Sequence, residues 1–133
     1  MKIESKKVSI AAGKEAVFNY VKDLNNFKSL LPQDRISDWE STETYCSFKV
    51  QGTATIDLNL KEANEFDHIL LESGERSPFP FTLNVHFSEE DGTTTAYQIM
   101  DAKVNPFLKM MVEKPLTNLF DYIADKLTEK VSS

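Results

Sequence analysis

The stretch that decides the fold is the last part of the chain, Asn105–Ser133, with the sequence NPFLKMMVEKPLTNLFDYIADKLTEKVSS. Apolar residues recur in it at steps of three and four, which is the spacing of one face of an α-helix. A helix over Phe107–Val131 would be about 37 Å long, so its apolar face requires a long partner surface. The residues of this face are Leu108, Val112, Leu116, Leu119, Phe120, Ile123, Leu127 and Val131.

The chain between Asp34 and Lys103 supplies that partner surface. Six runs of β-compatible residues, separated by tight turns, predict six strands. No connection is long enough for a crossover helix, so the strands should form an antiparallel meander that curves around the helix. The predicted strands are Ile36–Ser41, Tyr45–Val50, Thr53–Glu62, Asp67–Ser73, Phe81–Glu89 and Thr93–Ala102.

Alternation along these strands assigns their faces. Asp91-Gly92 is a two-residue hairpin signal, and a turn there places Val85 opposite Gln98 and Leu83 opposite Met100. Gln98 is therefore a polar side chain on an otherwise apolar inner face. The other residues predicted on this face include Ile56, Leu58, Leu60, Ile69, Leu71, Phe81 and Phe87.

The first 33 residues predict one strand followed by two short helices. The strand is Lys2–Ile10, and it should join the sheet beside the last strand. Asn25-Asn26 interrupts the first helix, and Pro32 ends a second helix at Phe27–Leu31. The buried face expected for the first helix contains Ala16, Val17, Tyr20, Val21 and Leu24.

Pro115 lies inside the predicted C-terminal helix. Proline removes a backbone hydrogen bond and collides with the preceding turn, so the helix should kink or divide near Met111–Lys114. The segment Phe107–Met111 would then act as a flap at one end of the sheet.

Composition places this chain among globular domains. The 133 residues predict a single domain, residues 1–133, and 41% hydrophobic with 27% charged residues is ordinary for such a domain. No apolar run reaches the ~20 residues of a membrane span, and residues 1–10 lack the apolar block of a signal peptide. We therefore expect a cytosolic protein without stable membrane insertion. The single Cys46 excludes an internal disulfide and is expected to be a small core residue.

The net charge of −6 is unevenly distributed. Residues 34–101 hold fourteen acidic and four basic residues, so the outer face of the sheet should be acidic. An acidic face argues against nucleic acid as a partner, because affinity for nucleic acid comes mostly from clustered Lys and Arg. Four lysines near the N-terminus are expected to form a solvated edge instead of an anionic-lipid contact: Lys2, Lys6, Lys7 and Lys14.

The stretch Ile10–Phe27, IAAGKEAVFNYVKDLNNF, followed by Leu31-Pro32, resembles the opening signature of the START-like superfamily (SRPBCC, polyketide cyclase-like). That signature has an apolar-x-Ala-Pro-x-Glu-x-Val-Phe pattern, and Gly13 stands here where the proline is usual. The turn Asp91–Thr94 and the amphipathic C-terminal helix also match. The resemblance implies an α+β helix-grip fold, in which a curved antiparallel sheet of about seven strands wraps around the long helix.

The resemblance also implies an apolar cavity between the sheet and the long helix. Members of the superfamily use such a cavity for lipids, sterols, quinones or polyketides, and they share no invariant catalytic residue. The expected partner is therefore a hydrophobic small molecule, and any protein partner stays undefined. The expected cavity residues are Leu58, Ile69, Leu71, Phe81, Leu83, Val85, Gln98, Met100, Phe107, Met111 and Leu119.

No catalytic or cofactor motif is visible in the sequence. His68 and His86 should face each other across two strands, but two ligands are fewer than a usual metal site has, so no metal and no cofactor are expected. The carboxylates Glu72, Asp57 and Asp101 alternate away from the inner face and are expected to face water. The remaining polar candidates for the cavity are Tyr20, Tyr45, Cys46 and Ser73.

The cavity opening is expected at the loop Arg76–Phe81 and the start of the long helix. Aromatics and flexible thioethers suit apolar ligands of variable shape, and this region carries Phe79, Phe107, Met110 and Met111. The alternative is that apolar side chains plug the cavity and leave only a packed core.

Three functions are compatible with these expectations. The first is a carrier or sensor that binds a hydrophobic small molecule by burial. The second is a polyketide cyclase or aromatase, in which Gln98 and a tyrosine orient the substrate. The third is a protein-interaction module. The absence of carboxylates and histidines from the predicted inner face favours the first.

Overall fold

The computed structural model describes residues 1–51 and 54–132 and contains one antiparallel sheet and three helical segments. The helical segments are α1 (Lys14–Lys22), a 3₁₀ helix (Leu24–Leu30) and α2 (Pro106–Val131). The strands are β1 (Lys2–Glu4), β2 (Val8–Ile10), β3 (Ile36–Ser41), β4 (Tyr45–Val50), β5 (Thr55–Asn64), β6 (His68–Ser73), β7 (Phe81–Glu90) and β8 (Thr93–Ala102). The predicted strand start at Thr53 lies outside the described residues.

The sheet follows the order β1-β8-β7-β6-β5-β4-β3, and β2 also pairs with β8. This confirms the antiparallel meander and the position of the N-terminal strand beside the last strand. The prediction of one unbroken first strand is wrong. Buried Ser5 interrupts it, because its backbone N–H donates to the Gln98 carbonyl at 2.9 Å while its Oγ accepts from the Gln98 N–H at 3.0 Å.

The β7–β8 hairpin turns at Asp91 and Gly92, which have φ values of +51° and +78°. Two consecutive positive φ angles characterise a type I′ turn, and its twist matches that of the flanking strands. The turn places Val85 opposite Gln98 and Leu83 opposite Met100, as predicted. This register brings the Gln98 side chain to the inner face.

Strand β3 is one edge of the sheet and is irregular. Its register against β4 shifts between Ser37 and Glu40, and Asp38 lies in this irregular segment with a φ of +54°. The opposite edge consists of β1 and β2, which are separated at Ser5. Both edges of the sheet are therefore interrupted.

Helix α1 buries Val17, Phe18 and Val21 against the sheet. Ala16, predicted to be buried, is exposed, because the buried face is rotated toward Phe18. The second helix begins at Leu24, earlier than predicted, and its 3₁₀ geometry repeats every three residues. This spacing buries Leu24, Phe27 and Leu30.

Helix α2 is continuous through Pro115, so the predicted division of this helix is wrong. Pro115 provides no N–H for the Met111 carbonyl, and Met111 is 59% exposed, so water can satisfy that carbonyl without a break in the helix. At the start of the helix, Asn105 Oδ1 accepts from the Leu108 N–H at 2.8 Å.

The buried side chains of α2 lie from Leu116 onward, whereas Leu108 and Val112 in the preceding turns are only partly buried against the core. The exposed fractions of Phe107 and Met110 in the first half are 70% and 78%. The buried residues of α2 are Leu116, Phe120, Ile123, Ala124 and Leu127.

Asp57, predicted to face water, is only 3% exposed. Its carboxylate accepts from the backbone N–H groups of Gly74 at 3.0 Å and Arg76 at 3.2 Å, and from the Ser77 hydroxyl. A Cβ on Gly74 would collide with Oδ2 of Asp57. These hydrogen bonds from the Asp57 carboxylate hold the β6–β7 loop against the outer face of the sheet.

Phe79 of the same loop is only 8% exposed, so its predicted position at a cavity opening is wrong.

Candidate functional site: two apolar cavities beneath the long helix

The first cavity, named here the Gln98 cavity, has a volume of about 20 Å³. It lies where α1, the 3₁₀ helix and the last turns of α2 meet strands β2, β7 and β8. Its lining is apolar except at Tyr97 and Gln98. The lining residues are Val8, Val21, Phe27, Leu30, Val85, Ala96, Tyr97, Gln98, Ile123, Ala124 and Leu127.

The second cavity, named here the Leu119 cavity, also has a volume of about 20 Å³. It lies under the middle of α2, toward the end of the sheet where β7 begins, and its lining is wholly apolar. The lining residues are Phe27, Leu31, Phe48, Ile56, Leu58, Phe81, Leu83, Met100, Leu116, Leu119, Phe120 and Ile123.

Phe27 and Ile123 line both cavities and form the wall between them. A volume of about 20 Å³ is close to the space of one water molecule, and apolar cavities of this kind tend to stay dry. The interior is therefore almost filled by side chains. A larger occupant requires side chains of this wall to move.

Gln98 is 4% exposed and holds α2 to the sheet. Its Nε2 donates to the backbone carbonyl of Phe120 at 3.0 Å, across the interior. Because that carbonyl already lies within helix α2, the amide contact fixes the distance between β8 and the helix at this point. Gln98 is the one polar side chain among the residues that line the two cavities, apart from Tyr97.

The structure brings seven of the eleven predicted cavity residues to a cavity wall. Val85 and Gln98 line the Gln98 cavity, whereas Leu58, Phe81, Leu83, Met100 and Leu119 line the Leu119 cavity. Ile69 and Leu71 are fully buried in the sheet and line neither cavity. Phe107 and Met111 lie on the exposed first half of α2, away from both cavities.

Leu119 is the one helical residue among the predicted cavity residues that reaches a cavity wall, and the rest of the helical side was not predicted as cavity lining. Phe27, Leu30 and Leu31 come from the 3₁₀ helix and the residue after it, and Ile123 comes from α2. The signal was the three-residue spacing of Leu24, Phe27 and Leu30, which a search for α-helical periodicity does not single out.

The other polar candidates lie outside the cavity walls. The Tyr20 hydroxyl pairs with Ser29 Oγ at 2.6 Å, and Ser73 Oγ accepts from the Phe81 N–H at 2.9 Å. Burial, with a smaller contribution from the Asp57 charge, raises the pKa of the Cys46 thiol to about 12. A thiol with such a pKa stays protonated and unreactive, as expected for a core residue.

His68 and His86 face each other across β6 and β7 with their rings 4.9 Å apart, as predicted. Both ring nitrogens of His68 have partners: Nε2 contacts Asn84 Oδ1 at 2.6 Å and Nδ1 contacts Asn64 Nδ2 at 3.3 Å. Burial and then the neighbouring His68 lower the pKa of His86. Within residues 1–51 and 54–132, no group of three His, Cys, Asp or Glu side chains is arranged to hold a metal.

A separate groove of about 610 Å³ lies on the outer side of β3 to β5. Arg76 crosses it, pairing with Glu40 and contacting Ser47 Oγ at 3.3 Å. Arg76 and Glu40 thus satisfy each other's charge in this open and solvated groove. Its lining residues are Asp38, Trp39, Glu40, Ser47, Thr55 and Arg76.

No family model matches the sequence, and no curated protein matches it. Within the described part of the chain, no helix has the length and apolar character to span a membrane.

Similar solved structures are found across nearly the whole chain. A START superfamily protein from Mycobacterium smegmatis has a TM-score of 0.75 at 15% identity, over 98% of this chain and 96% of that chain. An uncharacterised protein from Bacillus thuringiensis has a TM-score of 0.74 at 14% identity, over 97% of each chain. A conserved protein from Geobacillus kaustophilus has a TM-score of 0.72 at 13% identity, over 98% of this chain and 95% of that chain. Identities this low show the fold alone, and that fold is the START-like helix-grip fold.

Proposed function

We propose that this chain binds a hydrophobic small molecule, such as a lipid, a quinone or a polyketide-like compound, between the sheet and α2. The observation that carries the proposal is the pair of apolar cavities beneath α2, which share Phe27 and Ile123 in their walls. If Phe27 moves, the two cavities become one space that runs along the helix. The START-like fold supports the same location.

The side of the wall that moves is the 3₁₀ helix. Hydrogen bonds in 3₁₀ geometry are weaker than those of an α-helix, and this helix connects α1 to the loop before β3. Ile123, by contrast, belongs to the buried half of α2. A ligand that buries ten CH₂ groups gains about 8 kcal/mol at about 0.8 kcal/mol each, which is micromolar affinity before the cost of moving Phe27.

Binding accounts for these cavities better than catalysis does. Among the described residues, neither cavity is lined by a carboxylate, a histidine or a lysine, so general acid–base chemistry has no group there. The cyclase hypothesis needs a tyrosine beside Gln98. Tyr97 stacks on His86 at 5.1 Å on the outer face, and the Tyr20 hydroxyl is paired with Ser29.

The test is a titration with the neutral fluorescent probe N-phenyl-1-naphthylamine, together with native mass spectrometry for a co-purified apolar compound. Phe27→Ala joins the cavities, so it should bind the probe about tenfold more tightly than the wild type. Phe87→Ala is the matched control, because it removes an equally buried ring that lines neither cavity. This control should be similarly destabilised without a gain in affinity.

The proposal is contradicted if the wild type and Phe27→Ala both fail to bind the probe and no apolar compound co-purifies. The interaction module would then be the better hypothesis. The exposed Phe107, Met110 and Met111 would be the place to examine first.

A further inference from the structure

The amide of Gln98 has only one possible orientation. One of its two terminal atoms lies 3.0 Å from the Phe120 backbone carbonyl, which can only accept a hydrogen bond. That atom must therefore be the nitrogen, and the oxygen Oε1 must point away from the helix backbone. The inner face of the sheet thus presents an acceptor at this position.

Oε1 of Gln98 accepts no hydrogen bond from any described residue, since its amide makes only the Phe120 contact. Every fully sealed side-chain nitrogen or oxygen in the described residues has a hydrogen-bond partner. Oε1 is therefore not fully enclosed by packed atoms. Gln98 lines the Gln98 cavity, and apart from Tyr97 the other lining residues are apolar.

We propose that the Gln98 cavity selects hydrophobic molecules that carry a hydroxyl or N–H donor, with Gln98 Oε1 as the acceptor. This inference rests on the proposed function and narrows it to neutral alcohols and phenols, including quinols. A buried acceptor without a hydrogen bond costs free energy. A ligand donor that bonds to Oε1 removes this cost and also satisfies the donor itself, so both effects increase the affinity.

Ligands whose only polar group is an acceptor leave Oε1 of Gln98 without a partner. Nε2 carries two N–H groups, and the one that donates to the Phe120 carbonyl holds α2 to the sheet. A ketone or ether would place its oxygen against Oε1, and a carboxylate would be buried without a positive partner. Oxidised quinones and fatty acids are therefore poorer ligands than quinols and alcohols.

The experiment compares 4-propylphenol with 4-propylanisole by calorimetric titration of the wild-type protein. The two molecules differ by a methyl group that removes the donor. The phenol should bind about tenfold more tightly, which corresponds to one hydrogen bond in a buried site. Gln98→Leu should remove this preference.

Val85→Ala is the matched control for Gln98→Leu, because Val85 lies opposite Gln98 in the sheet and lines the same cavity without a polar atom. It should change the affinity for both molecules by the same factor and keep the preference for the phenol. The phenol and the anisole are compared on the wild-type protein itself, so the donor site can be tested even if Gln98→Leu does not fold.

Three outcomes separate the two proposals. A wild-type preference for the phenol that Val85→Ala retains supports the donor site. Equal binding of the two molecules, or tighter binding of the anisole, overturns the donor site and leaves small-molecule binding in place. Failure of both molecules to bind contradicts the proposed function itself.

Discussion

The two parts of α2, before Leu116 and from Leu116 onward, are both apolar but differ in burial. From Leu116 onward, Leu116, Phe120 and Leu127 are each less than 8% exposed. In the part before Leu116, Phe107 is 70% and Met110 is 78% exposed, and Leu108 and Val112 are only partly buried. Helical periodicity runs through both halves. The difference therefore comes from the rest of the fold, which buries side chains of α2 from Leu116 onward and covers Leu108 and Val112 only in part.

An amphipathic pattern thus predicts a helix, but it does not predict how much of that helix the rest of the protein buries. β8 ends at Ala102, opposite Phe81, so α2 starts at the end of the sheet where β7 begins. From there the helix must run back along the inner face, and its first turns lie where the strands are ending. Four predictions concern this difference and the buried groups of the neighbouring sheet, in order of decreasing effect on stability.

Truncation of one apolar side chain in each half should give the largest contrast. Phe120→Ala leaves a cavity beside the Leu119 cavity and should lower the free energy of unfolding by about 3 to 5 kcal/mol. Met110→Ala removes an exposed side chain and should change it by less than about 0.5 kcal/mol. Urea denaturation measures both. Equal losses would mean that the first half is covered in solution.

The position of the β6–β7 loop, which lies at the end of the sheet where β7 begins, should depend on the carboxylate of Asp57. Asp57→Ala leaves the N–H groups of Gly74 and Arg76 without their acceptor and should cost about 2 to 3 kcal/mol in unfolding free energy. Asp101→Ala is the control, because Asp101 is exposed on β8. If the two variants unfold at the same urea concentration, the Asp57 contacts contribute nothing to stability.

The two prolines of α2 should respond in opposite ways. Pro115 interrupts the hydrogen bonding of the helix interior, so Pro115→Ala should stabilise the protein by about 1 to 2 kcal/mol and slow amide exchange over residues 107–114. Pro106 is in the first turn, where a missing N–H costs nothing, so Pro106→Ala should give no gain. Unchanged exchange in Pro115→Ala would show that the first half opens for a reason other than the proline.

The smallest effect is expected from Cys46, on the covered face of β4. Its pKa of about 12 in the folded state exceeds that of an unfolded thiol, so the unfolded chain loses its proton first as the pH rises. Stability should therefore be retained below about pH 9 and decrease between about pH 9 and pH 12. At pH 10 the wild type should lose about 1 kcal/mol more than Cys46→Ala, relative to pH 7. Equal slopes for the two proteins would contradict the raised pKa.

Most of the fold was predictable because the strands carry strong local signals. β3, β4 and β8 have the bounds that alternation and turns predict, and Asp91-Gly92 determined the register that places Gln98 inside. Asp57 was assigned wrongly, because alternation indicates the outer face but not that a loop folds over that face. Contacts between distant segments are not present in a local pattern.

The candidate site was predictable on its sheet side and less so on its helical side. Leu58, Leu83 and Met100 follow from strand alternation, which needs no knowledge of what covers the sheet. Phe27 and Ile123 form the wall between the cavities only because the 3₁₀ helix and α2 meet over the sheet. The contact between these helices depends on how the 3₁₀ helix, α2 and the sheet are arranged in three dimensions, and residue spacing does not predict that arrangement.

The interruptions at both edges of the sheet have a consequence for the protein at high concentration. A regular edge strand offers unpaired N–H and C=O groups to another chain, and such pairing is how sheets extend into fibres. On β3, the register shift at Ser37/Glu40 and the positive φ of Asp38 disturb that row of groups, and Asp38 adds an exposed carboxylate to this edge. On the other edge, the break at Ser5 leaves strands of only three residues. The same irregularities that complicate strand prediction thus protect the protein from aggregation.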